Sequence, residues 1–168
     1  MGSRTYTFDA LMQLSDGLTP ISAPSLSYVS AAPKILDLGG GGGRSDLGAV
    51  GGGVRLEAAL VIDVAALNVA NANNNYGLIL LGSNNADMSK PVVLGEIQLG
   101  HGASLPLGSA AGSASTGAGS TSTPGRYELL FATEQDDINY EFVALYVQAS
   151  GTSPSIQFTA FVAVLPCQ

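Results

Sequence analysis

Three short apolar runs close the chain: RYELLFAT at Arg126–Thr133, NYEFVALYVQA at Asn139–Ala149 and SIQFTAFVAVL at Ser155–Leu165. In the last run Ile156, Phe158, Ala160, Val162 and Val164 fall on one side, and Gln157 and Thr159 begin the other. A period of two is the mark of a strand with one buried face. Aromatic and β-branched residues dominate the runs. The residues between them are turn formers: Glu134-Gln135-Asp136-Asp137, then Gly151-Thr152-Ser153-Pro154.

Working back from this set, the same pattern recurs. Val54 to Val64 puts Val54, Leu56, Ala58, Leu60, Ile62 and Val64 on one face, with Arg55, Glu57 and Asp63 on the other. Lys34–Leu38, Tyr76–Leu81 and Lys90–Ile97 read as further strands, the second closed by Gly82-Ser83-Asn84-Asn85. Pro91 is tolerable at a strand start or an edge. Leu67–Asn75 reads as an Asn/Ala-rich loop. About eight strands with no alternating βα units argue against a parallel sheet. The expected fold is all-β, an antiparallel β-sandwich of jelly-roll type, because long loops suit a jelly roll better than a tight meander.

Residues 1–30 read as an extended N-terminal arm, with residues 31–168 as a single domain. In the arm, Tyr6, Phe8, Leu11, Met12, Leu14, Leu18 and Ile21 stand among polar residues, and Pro20, Pro24 and Pro33 oppose a helix. Asp9 is placed to cap one short helical turn over Ala10–Leu14. Such an arm either folds back over its own domain or reaches a neighbouring subunit. Two glycine-rich loops interrupt the domain, at residues 39–53 and 108–125; the second is almost entirely Gly, Ser, Ala and Thr.

Composition narrows the function. The 168 residues fit one domain with a proper core. Charged residues make up 11% against 46% hydrophobic, so the chain does not have the profile of disorder. A net charge of −7, with Arg4, Lys34, Arg44, Arg55, Lys90 and Arg126 scattered singly, opposes nucleic-acid binding. The longest apolar run, Ala58–Ile62, stops at Asp63, far short of the about 20 residues of a membrane helix. No signal peptide is recognisable at the N-terminus, and the single Cys167 cannot form an intrachain disulfide. A soluble protein made in a reducing compartment is expected.

The chemistry-bearing residues do not assemble into a motif. After Gly43 come Arg44-Ser45, so the glycine run is no P-loop, and no G-x-G-x-x-G aligns. His101 is the only histidine and sits between glycines, which opposes a cupin-like metal site and reads as an exposed loop residue. Cys167 lies too near the end to be preorganised. Glu134, Asp136, Asp137 and Glu141 match no EF-hand loop and read as a solvated turn. No enzyme, cofactor or metal is expected.

The chain resembles the small capsid cement (decoration) proteins of tailed bacteriophages, of the jelly-roll type. The resemblance rests on Leu11-Met12-Gln13-Leu14-Ser15-Asp16, on Ile35-Leu36-Asp37-Leu38-Gly39, on the turn Gly82-Ser83-Asn84-Asn85-Ala86-Asp87, on Arg126-Tyr127 and on the closing strand Phe158–Leu165. It implies a virion protein on the outer capsid surface, bound as a trimer to the major capsid protein where capsomers meet. There it would lock the shell against internal DNA pressure. Tyr6, Phe8, Leu11, Met12, Leu14 and Asp16 are then the expected shell or subunit contacts. The alternative is a carbohydrate-binding or host-attachment module of a virion on the same sandwich, and a third is a hydrolase with dispersed carboxylates.

Overall fold

The computed structural model describes residues 6, 8–39, 55–100 and 124–164. Most of both glycine-rich loops, with His101 and Cys167, lies outside these residues. The strands are β1 (Gln13–Asp16), β2 (Ser25–Leu26), β3 (Tyr28–Val29), β4 (Ala32–Pro33), β5 (Ile35–Asp37), β6 (Glu57–Leu67) and β7 (Asn75–Ser83). After them come β8 (Val92–Gly100), β9 (Gly125–Ala132), β10 (Glu134–Gln135), β11 (Ile138–Asn139), β12 (Phe142–Ser150) and β13 (Ile156–Val164). The long ones fall where period-two runs predict strands. β6 continues to Leu67, three residues past the predicted end at Val64, because a bulge lets Ala66 pair with Gln157.

Pairing is antiparallel and nested from the outside in. β1 pairs with β13, β2 and β5 with β12, β6 with β9, and β7 with β8. A long hairpin rolled up in this way is a jelly roll. Its first sheet runs β1-β13-β6-β9, and its second runs β2/β5-β12-β7-β8. Between the sheets lies one core. Leu60, Ile62 and Phe158 from the first sheet meet Leu78, Leu80, Leu145, Ile97 and Leu99 from the second, all at most 2% exposed. Each such side chain contributes about 1.5–3 kcal/mol through burial. A bulge in β8 adds to this: Leu81 pairs with Val93 and Leu80 with Gly95, so the intervening Leu94 also turns onto the core.

The N-terminal segment folds back over its own domain, the first of the two readings of the arm. β1 is hydrogen-bonded to β13, Leu14 is fully buried, and Ser15 Oγ donates to Phe158 O at 2.8 Å. Ile21 bridges to Ile156, and Ser27 joins the two sheets: its Oγ donates to Leu14 O at 2.7 Å and its amide to Leu145 O at 2.8 Å. The helical turn is shorter than expected, a 3-10 turn over Ala10–Met12, with the Asp9 carboxylate accepting from Leu11 N at 2.9 Å.

Candidate functional site

Candidate contact surface

The six residues expected to make contacts divide by role. Tyr6 and Phe8 lie over the outer face of the first sheet. Tyr6 Oη donates to Glu128 on β9 at 2.8 Å, and the Phe8 ring meets Phe161 on β13 edge-on at a centroid distance of 5.2 Å. Between these anchors sit Ala59, Val61 and Ala163, small enough to be covered and at most 4% exposed. Edge-to-face contact adds on the order of 1 kcal/mol to the area it buries. Phe8 nonetheless keeps 54% of its surface.

Leu14 cannot be a contact: it is 0% exposed and belongs to the core, at the bulge where β1 shifts register against β13. Met12 packs against the same core. Asp16 is the last residue of β1. Its carboxylate accepts from Leu18 N at 3.0 Å and from Ser30 N at 2.6 Å, which ties β1 to the β3–β4 hairpin. What stands out from the surface is Leu11, 80% exposed, and with it Leu18, 76% exposed, which lies outside the expected contact set. Leu18 follows Gly17 in a turn, and the position of one apolar residue after a Ser-Asp-Gly sequence gives no periodicity by which to find it.

Phe8, Leu11 and Leu18 flank a strand anchored at both ends. The opposite arrangement holds at the Asn-rich end of the sandwich. There Asn68 Nδ2 donates to Ser153 O at 2.8 Å, Asn71 Nδ2 to Thr152 O at 3.0 Å, and Asn73 Nδ2 to Thr152 Oγ1 at 3.0 Å. Tyr76 Oη sits within 2.8 Å of Asn68 O and accepts from Ser155 N at 2.9 Å. Gly151, at φ 118°, permits the approach, since a Cβ there would stand 2.5 Å from Asn73 O. These amides staple two loops together.

Charged groups form solvated pairs. Arg126 grips Asp63 at 2.8 and 3.0 Å, and Arg55 spans Glu57 and Glu134 at 2.8 and 3.0 Å. The carboxylates raise both guanidinium pKa values, and exposed pairs of this kind are worth less than about 1 kcal/mol. Asp136 and Asp137 form the tip of the β10–β11 hairpin, both at positive φ. Among the described residues no group of three His, Cys, Asp or Glu side chains could hold a metal, and no helix is long and apolar enough to cross a membrane. No family model, curated protein or solved structure matches the chain.

Proposed function

We propose that the chain is a structural virion protein: a capsid cement protein that binds the outer surface of the major capsid protein shell as a trimer. In that place it stabilises the shell against the pressure of packaged DNA. Beside the sequence resemblance, one observation carries this reading. Large apolar side chains, Leu11, Leu18 and Phe8, project from the segments that flank the paired strand β1 of a jelly roll. Exposed apolar groups cost solubility and are retained where they meet a partner. Three copies, each making a modest contact, gain affinity through multivalency. Partners of this kind are proteins; nothing in the reading calls for a nucleic acid, a membrane or a cofactor.

The carbohydrate-binding alternative gains nothing from the Asn-rich end, because those amides are engaged by the chain's own backbone and Thr152. The test is co-sedimentation with shells assembled from the major capsid protein of the same virion. Leu11→Asp with Leu18→Asp should reduce shell binding at least tenfold while the thermal transition moves by no more than a few degrees. Undiminished binding by that double variant would sink the assignment of these residues as the contact.

A further inference from the structure

After β1 the chain leaves β13 and then returns to it. Asp16 pairs with Thr159, and Ile21 exchanges two backbone hydrogen bonds with Ile156, at 2.8 and 3.0 Å. Gly17, Leu18, Thr19 and Pro20 therefore arch over a stretch where β13 has only Gln157 and Phe158. Backbone bonds close the arch at both feet. At its crown stands Leu18, 76% exposed, where turns ordinarily carry Gly, Pro, Asn, Asp or Ser.

Side chains brace the arch from within. Gln157 Nε2 donates to Gly17 O at 2.7 Å. The Asp16 carboxylate accepts from Leu18 N at 3.0 Å through one oxygen and from Ser30 N at 2.6 Å through the other. Gly17, at φ 71°, lies so close to β13 that a Cβ there would stand 2.9 Å from Thr159 Cγ2. Pro20 fixes its own φ at the returning foot. The bonds around Leu11 differ: through Asp9 O, the Asp9 carboxylate and Ala10 O they join residues 9–13 to one another.

We propose that this arch is a preformed knob, and that Gln157 and Asp16 are positioning residues for the contact that Leu18 makes with the shell. The proposal rests on the cement reading and names, within it, what holds the contact in place. The matching feature of the shell surface is an apolar recess that takes one branched aliphatic side chain. Asp16, the carboxylate beside the knob, is engaged by two amides of its own chain and leaves the approach to Leu18 apolar.

The argument is one of order placed where the fold itself gains little. Leu18 contributes almost no buried area to its own chain. The Gln157 side chain lies on the outward side of β13, between the inward Ile156 and Phe158, and the bond it makes is to the arch rather than to the core. Immobilising a loose side chain at an interface weakens affinity by roughly twofold to tenfold. An arch tied at both feet and braced at Gly17 and Leu18 has given up that freedom on folding, so the burial of Leu18 is kept for the partner.

The test joins a measurement on the free chain to a double-mutant cycle on shells assembled from the major capsid protein. In the free full-length chain the Leu18 amide should have an NMR order parameter near the roughly 0.85 of rigid backbone, and Gln157→Ala should lower it. Gln157→Ala should weaken shell binding roughly threefold to tenfold, with the thermal transition moved by no more than a few degrees. Leu18→Ala should weaken it about tenfold. In the Leu18→Ala background Gln157→Ala should add nothing, whereas in the Leu11→Ala background it should keep its full effect. A general loss of fold would lower binding alike in both backgrounds. A Leu18 order parameter below about 0.6, undiminished binding by Gln157→Ala, or an equal loss in the two backgrounds overturns the proposal and leaves the cement reading standing. A wild-type chain that binds no shell sinks that reading and the proposal with it.

Discussion

Ser30 and Ala31 join β3 to β4 with φ angles of 54° and 61°. A two-residue hairpin turn with both φ positive is the geometry that Asn-Gly adopts at ease. For Ala31 the left-handed region costs about 1–2 kcal/mol. Replacing the pair by Ser30→Asn with Ala31→Gly should therefore stabilise the chain by about 1 kcal/mol, roughly 2–4 °C in Tm, as thermal unfolding would report. Nothing in the flanking sequence announces this turn, because Ser-Ala lacks turn chemistry; Pro33 and the pairing of Tyr28 impose it.

Tyr76 is the residue-scale opposite, a polar group whose partners are all supplied. Tyr76→Phe removes an oxygen that serves Asn68 O and Ser155 N and should cost about 1–3 kcal/mol in denaturant unfolding. Burial pushes the phenol above its usual value. A raised folded pKa means that its share of stability is whole below about pH 10 and is lost as pH rises through the folded value. Tyr76→Phe should lose less stability than wild type across that alkaline window; equal losses would show that the phenol does not titrate there.

At the scale of elements, the long strands were legible and, apart from β5, the short ones were not. β6, β12 and β13 each run nine residues or more, long enough for a period of two to show against chance. β1 has four residues, two of them Ser15 and Asp16, and β2 has two. Their strand character comes from partners on β13 and β12, more than a hundred residues away, which no local pattern encodes. That is why the N-terminal segment reads as an arm, and why Leu11 and Leu14 look alike in sequence. The structure separates them. Leu14→Ala should cost about 2–5 kcal/mol by leaving a cavity, whereas Leu11→Ala should cost less than about 0.5 kcal/mol. Comparable losses in urea titrations of the two variants would contradict the placement of β1.

At the scale of the whole molecule, the nested pairing of strands sets two sheets back to back and gives the protein two unlike outer faces. One is capped by Tyr6 and Phe8 and bordered by carboxylates. The other carries the half-buried Ile35, Ile79, Leu81 and Tyr146. Leu11 and Leu18 project beside them. Sequence reading reached the jelly roll through strand number and loop length. It could not reach the outward set of the second sheet, because an outward Ile79 or Leu81 is indistinguishable from an inward one until the register with β8 and β12 is known.

The most direct measure of the proposed cement role is the temperature at which DNA-filled shells release their contents, with and without the bound chain. Release should move to higher temperature when the chain is added to shells stripped of it, and the gain should vanish with Leu11→Asp and Leu18→Asp. Shells that bind the chain yet open at an unchanged temperature would contradict a cement and point instead to an attachment module.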